Sequence, residues 1–226
     1  MFGVVEKEVH RRLKKIEQQE HKLSYLFWEC TWRCNLSCLH CGSDCKAYTG
    51  HKDMPSEDFL NVLDQINKYD HEPTIIAITG GEPLLRKDLE ECGYQIRQKG
   101  FQWGIVTNGF AYTKERHHSL LSAGMGSITL SLDGLQHTHN WLRNHPKSYE
   151  HALNAMSLIA SSHLISDVVT CVNKRNVPEL EDIYQTIRQS GIKAWRLFTI
   201  APIGRANLHP ELDLDSHEFT ALMHFL

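Results

Sequence analysis

The chain has 226 residues, of which 41% are hydrophobic and 23% are charged, and its formal net charge at pH 7 is −3. This length can bury one core, and the weakly acidic balance predicts no surface for nucleic acid. No apolar run approaches the ~20 residues that cross a bilayer, and the first residues lack the layout of a secretory signal, so we expect a cytoplasmic protein without a membrane partner.

The first predicted element is a helix over residues 4–22, because apolar side chains recur there at helical spacing. They are Val5, Val9, Leu13 and Ile16. Acidic and basic residues are interleaved over the rest of the segment, which favours a solvated helix on the domain over a helix that binds a membrane or a partner. We therefore interpret residues 1–23 as an N-terminal helical extension and residues 24–226 as the core domain.

After this helix, apolar β-rich runs alternate with helical patterns. The runs that predict strands are 24–30, 74–79, 102–107, 127–132, 167–172 and 194–200. One helix is predicted to begin at Pro55 and a second to end at Gly100. Three more are predicted over 114–123, 148–163 and 178–190. Six strands that alternate with helices indicate a parallel sheet with right-handed crossovers. Since eight such units close a TIM barrel, six predict an α/β fold, a partial (β/α)6 TIM-type barrel with helices outside a parallel six-stranded sheet.

A last helical pattern covers residues 213–226 and reaches the final residue without a glycine or another C-cap signal. From this pattern we expect the chain to be part of a longer protein. The alternative is a short protein that ends in a packed helix.

Three cysteines, Cys34, Cys38 and Cys41, follow the first predicted strand in a C-x3-C-x2-C run. A cubane of four irons and four sulfides needs one ligand per iron, so three thiolates would leave one iron open to another ligand. Structural zinc is the alternative, because a nearby side chain could complete the four ligands that zinc requires. The candidates for that fourth position are Cys30, His40 and Cys45.

Polar residues follow other strands, at the end where α/β barrels carry their chemistry. Gly80, Gly81 and Glu82 follow the second strand; glycines let a backbone approach a ligand, and the carboxylate suits an ammonium group. Ser131 and Asp133 end the fourth strand on one face, where they could bind a ribose or a charged head group. For both segments, an ordinary turn is the alternative interpretation.

The remaining strand ends give weaker signals. Asn108 follows the third strand in a Thr-Asn-Gly turn, and Asn173 ends the fifth strand, so both could contact a ligand. Cys171 is expected in the core. Arg205 follows the sixth strand, where we expect it to pair with a helix end or with an extension.

Together these motifs resemble those of the radical S-adenosylmethionine (SAM) enzymes, over about residues 24–206. The resemblance implies that the three cysteines hold a [4Fe–4S] cluster as metal ligands, and that the open iron binds the amino and carboxylate groups of SAM. It implies that His40 lies near the adenine, that Glu82 holds the amino group and that Arg143 suits the carboxylate. The residues implied to bind SAM are His40, Gly80, Gly81, Glu82, Ser131, Asp133 and Arg143.

The resemblance also implies a reaction. An external one-electron donor, such as flavodoxin or ferredoxin, reduces the cluster, and SAM is cleaved to methionine and a 5′-deoxyadenosyl radical that takes hydrogen from a substrate. The Ser-Leu-Asp-Gly and Pro-x-Gly-Arg-Ala runs resemble the subgroup with a SPASM or twitch extension, so a peptide or protein substrate is expected, with any auxiliary-cluster domain outside this chain. The alternatives are a radical SAM enzyme acting on a small metabolite or a tetrapyrrole, and a zinc- or iron–sulfur-binding module without catalysis.

Overall fold

The computed structural model describes residues 4–20, 22–45, 50–69 and 74–226. Six strands form one parallel sheet in chain order, so each strand lies beside the one before it. They are β1 (Tyr25–Glu29), β2 (Ile75–Thr79), β3 (Gln102–Thr107), β4 (Ser127–Ser131), β5 (Ile165–Val172) and β6 (Ala194–Thr199). The predicted partial (β/α)6 barrel is thereby confirmed. Five predicted strands agree within one residue at each end, whereas β5 begins two residues earlier than expected.

The described residues form eight α-helices. They are α1 (Val4–Glu20), α2 (Ser56–Tyr69), α3 (Leu89–Gln98), α4 (Lys114–Ser122), α5 (Gln136–Arg143), α6 (Ser148–Ala160), α7 (Leu180–Ser190) and α8 (Ser216–Phe225). Helix α5 was not predicted, because its eight residues contain only two apolar side chains and so show no helical stripe. None of the helices in these described segments is long and apolar enough to cross a membrane.

Helix α1 forms where the sequence predicts it, but its apolar stripe is not covered. Val9, Leu13 and Ile16 are each about half exposed, at 50–53%. The side chain of Val5 and residue 21 lie outside the described part of the chain. The division of the chain after residue 23 stays a prediction.

The outer face of the sheet packs against the helices and forms the core. Trp28 of β1 stacks on Phe59 of α2, with ring centroids 3.9 Å apart and an interplanar angle of 2°. Gly93 of α3 lies directly on Trp103 of β3, since a Cβ atom at Gly93 would lie only 2.1 Å from the indole ring. These contacts fix the helices outside the strands and leave the strand ends free to carry the candidate site.

The inner face of the sheet is open. A cavity of about 810 Å³ lies along it, lined by the first residues of the strands, including the exposed side chains of Tyr25 and Phe27. Across the last three strands, Arg196 donates from Nε to Asp167 and from Nη2 to Thr129, at 2.5 and 3.0 Å.

Candidate active site

The three predicted cluster ligands lie on the loop after β1, near enough to one another for their charges to affect each other's pKa. Cys38 is buried, and Cys34 and Cys41 are half-buried. Burial raises the pKa of Cys34 and of Cys38, and the neighbouring thiols of the group raise it further. A hydrogen bond with the Cys45 thiol lowers the pKa of Cys41 to about 5, and the charge of Arg205 acts in the same direction. Neighbouring thiols on one loop, one of them acidic, are suited to metal coordination.

Two later segments hold this cysteine loop by its backbone. The N–H of Leu39 donates to the carbonyl of Leu142, at the end of α5, at 2.8 Å. Arg205 donates from its backbone N–H to the carbonyl of Cys41 at 2.9 Å and from Nε to the carbonyl of Cys38 at 2.8 Å. The expectation that Arg205 pairs with a helix end was therefore wrong, since this side chain clamps the loop that carries the cysteines; pairing with an extension stays a prediction.

The two glycines after β2 allow this segment to lie against the cysteine loop. A Cβ atom on Gly80, which has a φ of +134°, would lie 2.5 Å from the carbonyl oxygen of Thr31. A Cβ atom on Gly81 would lie 2.2 Å from the carbonyl oxygen of Arg33. The N–H groups of Gly81 and Glu82 donate to these two carbonyls at 2.8 Å. The close approach that the glycines permit thus includes the protein's own backbone, which the sequence pattern alone did not indicate.

Glu82 follows the end of β2, beside the end of β3, and is 1% exposed. Its Oε1 accepts hydrogen bonds from the hydroxyl of Thr107 at 2.7 Å and from the N–H of Leu84 at 3.2 Å, and its Oε2 accepts from the N–H of Asn108 at 2.9 Å. Burial raises the pKa of Glu82, although these donors act against the rise. The amide of Asn108 in turn donates to Asn35 of the cysteine loop at 2.9 Å, so this residue connects the acid to that loop.

Asp133 and Arg143 form a buried ion pair beside the cysteines. Arg143 donates from Nε and Nη2 to Oδ2 of Asp133, at 2.6 and 2.5 Å, and its Nη1 lies 3.7 Å from the sulfur of Cys38. Burial is the strongest influence and acts to raise the pKa of Asp133, but Arg143, the two nearby histidines and the N–H of Cys171 together outweigh it and hold the pKa below its ordinary value. Ser131 is buried two residues before the acid, at the end of β4. The pairing itself was not anticipated from the sequence.

His40 and Cys171 lie beside this ion pair. Ligand atoms of His40, Asp133 and Cys171 are all within 4.8 Å of one another. Nδ1 of His40 is buried and has no hydrogen-bond partner among the described residues, and burial lowers the pKa of the ring to about 4. Cys171 is half-buried and faces this group, so the expectation of a core cysteine was wrong. Asn173, expected to reach a ligand, is instead buried within its own loop and donates to the carbonyl of Cys171 at 3.2 Å.

Comparison with known proteins identifies the family. The sequence model of the radical SAM superfamily matches residues 28–187. The chain belongs to this superfamily. Its members use a [4Fe–4S] cluster and SAM, and the thiols, the buried acid and the buried guanidinium described above are donors and acceptors of the kind that these two groups require.

Curated relatives of two kinds are similar to the chain. It is 27% identical over 192 residues to an AdoMet-dependent heme synthase and 26% identical over 203 residues to an Fe-coproporphyrin III synthase, both of Methanosarcina barkeri. It is also 26% identical over 205 residues to the sporulation killing factor maturation protein SkfB of Bacillus subtilis. These alignments cover 84%, 90% and 88% of the chain but 54%, 50% and 49% of the relatives. The chain therefore spans about half the length of the curated relatives it matches.

Solved structures share the fold at low sequence identity. The native anSMEcpe structure with bound AdoMet has a TM-score of 0.76 and is 18% identical, with 91% of this chain and 59% of that chain covered. The structure of Streptococcus suis SuiB bound to its precursor peptide SuiA has a TM-score of 0.70 and is 12% identical, with 96% and 50% covered. At these identities the likeness shows the partial barrel alone.

Proposed function

We propose that the chain is the catalytic barrel of a radical SAM enzyme that acts on a peptide or a protein. In this proposal Cys34, Cys38 and Cys41 are the ligands of three irons of a [4Fe–4S] cluster. The observation that carries the proposal is the position of the three cysteines on one loop at the carboxyl ends of a six-stranded parallel barrel, where the buried Arg143 lies 3.7 Å from the sulfur of Cys38. The bound cofactors supply a one-electron cleavage of SAM to a 5′-deoxyadenosyl radical, which takes hydrogen from the substrate.

The surrounding residues bind and orient SAM in this proposal. Glu82 accepts the ammonium group, which is favourable because a cation stabilises the ionised form of an acid whose pKa is raised by burial. Arg143, held by Asp133, presents a fixed guanidinium plane to the carboxylate group. Gly80 and Gly81 keep this segment against the cysteine loop. The neutral ring of His40, with one unpartnered nitrogen, lies on the side proposed for the adenine.

An anaerobic assay tests the chemistry. The chain is reconstituted with iron and sulfide, reduced and given SAM, and 5′-deoxyadenosine is quantified. We expect about four irons and four sulfides per chain and product formation that a Cys38→Ala change abolishes. Cys92→Ala is the matched control, because Cys92 is a buried core thiol of α3 outside the cysteine loop. One zinc per chain with negligible sulfide would support the non-catalytic module instead.

The peptide or protein substrate is supported by the SPASM-type sequence runs and by the SkfB relative, whose name describes the maturation of a killing factor. A tetrapyrrole is the second candidate, because the heme synthase and Fe-coproporphyrin III synthase relatives are equally similar. Adding an iron coproporphyrin to the assay separates the two. A change in the mass of the macrocycle would favour the tetrapyrrole. An unchanged macrocycle, together with stimulation of 5′-deoxyadenosine release by a fraction of host peptides, would favour the first proposal.

A further inference from the structure

The proposed site contains a thiol that none of the roles above uses. Cys171 lies on β5, where alternate residues are buried against the helices and the residues between them, including Cys171, are turned to the inner face. It is half-buried, and its sulfur lies within 4.8 Å of a ring nitrogen of His40 and of a carboxylate oxygen of Asp133. The thiol therefore borders the pocket proposed for SAM.

A metal ion held by these three residues is the first alternative. The carboxylate of Asp133 is already occupied, because Oδ2 accepts from Arg143 and Oδ1 accepts from the backbone N–H of Cys171 at 2.8 Å. The guanidinium charge beside this carboxylate also opposes a second cation. The charge and the hydrogen-bonding capacity of Asp133 are thus already matched by Arg143 and Cys171. The atoms that remain available to a ligand or a substrate are the thiol of Cys171 and the unpartnered nitrogen of His40.

We infer that Cys171 is a catalytic residue that donates a hydrogen atom to the substrate radical. The inference rests on the proposed function, and it assigns a reaction in which the hydrogen removed from a substrate carbon is replaced by another. An S–H bond is weaker than most C–H bonds, so a carbon radical takes the thiol hydrogen readily. Burial raises the pKa of Cys171 to about 12, so the sulfur carries its hydrogen at neutral pH.

The steps balance with the electron donor already proposed. The 5′-deoxyadenosyl radical breaks a substrate C–H bond and becomes 5′-deoxyadenosine. The substrate radical then takes the hydrogen atom from Cys171, which forms the new C–H bond and leaves a thiyl radical. One further electron from the external donor and one proton from water restore the thiol. Each turnover therefore consumes one SAM and two electrons.

Deuterium labelling tests, without a substrate, whether this thiol lies close enough to the adenosyl radical to transfer its hydrogen to it. The reconstituted chain is transferred to D2O, where the thiol becomes S–D, then reduced and given SAM, and the 5′-deoxyadenosine is analysed by mass spectrometry. In the absence of substrate the adenosyl radical itself takes the nearest weakly bound hydrogen. We expect one deuterium atom in the product of the wild-type chain, its loss in Cys171→Ser and Cys171→Ala, and its retention in Cys92→Ala. Deuterium that persists in both Cys171 variants would overturn the inference.

A second measurement keeps the inference separate from the proposed function. If no 5′-deoxyadenosine forms in any variant, the proposed function fails. Hydroxyl-radical footprinting of the wild-type chain then tests separately whether Cys171 lies beside the site that binds SAM. We expect Cys171 to be oxidised faster than Cys92 and to be protected when SAM is added. Equal oxidation of Cys171 with and without SAM contradicts its place beside the cofactor.

Discussion

Replacing Asp133 with Asn tests how much the buried ion pair contributes to the fold around the site. Asp133 is fully buried and accepts three hydrogen bonds, two from Arg143 and one from the N–H of Cys171. The amide keeps the shape of the side chain but removes its charge, which leaves the guanidinium buried without a counter-charge. Breaking a buried pair in this way costs about 3–5 kcal/mol. That loss is a large share of the roughly 5–15 kcal/mol by which a domain is stable.

Urea unfolding of the metal-free chain at pH 7, followed by circular dichroism, measures the effect. We expect Asp133→Asn to lower the free energy of unfolding by about 3–5 kcal/mol at an unchanged urea dependence. Asp64→Asn is the control, because Asp64 pairs with Lys99 at an exposed position and such a pair contributes about 0–1 kcal/mol. If the two variants lose similar small amounts, the reasoning about the buried charge is refuted.

The pH dependence of the difference in free energy of unfolding between the wild-type chain and Asp133→Asn gives an independent check. Although burial acts to raise it, the guanidinium and the other groups around Asp133 together hold the pKa of this acid below its ordinary value in the folded state. A carboxyl with a depressed folded pKa stabilises the fold fully above its unfolded pKa of about 3.9, and that stabilisation is lost as the pH falls through the folded pKa. The advantage of the wild-type chain over Asp133→Asn should therefore be constant near neutral pH and shrink below about pH 4.

Three further changes test the rest of the site. Burial raises the pKa of Glu82 and an ammonium favours its charged form, so SAM affinity should increase as the pH rises through that pKa. Calorimetry in two buffers should show that SAM binding releases a proton. Glu82→Gln should abolish this proton release and weaken SAM binding about tenfold or more. Gly81→Ala places a Cβ atom 2.2 Å from a carbonyl oxygen of the cysteine loop and should reduce bound iron, whereas Gly126→Ala, whose nearest neighbour would lie at 3.4 Å, should not. Arg205→Gln removes the side-chain hydrogen bond that holds the cysteine loop, so the variant should lose iron to a chelator faster than the wild-type chain. Arg188→Gln, on the exposed part of α7, is the control. Equal rates of iron loss in the two variants would contradict the clamp.

The strands and the cysteine loop could be predicted because each depends on residues that are near one another in the chain. Apolar runs between helical patterns located all six strands, and the spacing of the three cysteines located the loop after β1. The parallel sheet followed from the alternation of strands with helices, and the count of six units favoured a partial barrel.

The contacts that assemble the site could not be predicted in this way. The Asp133–Arg143 pair depends on α5, an eight-residue helix without an apolar stripe, which turns the arginine back onto the acid. The hydrogen bond from Arg205 to Cys38 joins residues 167 positions apart, and no local pattern reports such a contact. Cysteine is a residue type that is usually found in the core, and only the alternation of burial along β5 and the closeness of the Cys171 sulfur to His40 and Asp133 show that it faces the pocket.

The cysteine loop has little regular structure of its own and takes its shape from the rest of the barrel. The segment after β2 donates two backbone hydrogen bonds to it, the end of α5 accepts one, and the loop after β6 adds the clamp of Arg205. These contacts come from the second, fourth and sixth units of the barrel, so the shape of the loop that carries the three thiols depends on the whole sheet. A cluster bound by this loop would stabilise the folded chain as any ligand does that binds only the native state. The same dependence explains why a few side chains far apart in the sequence, rather than the cysteine motif alone, position the chemistry.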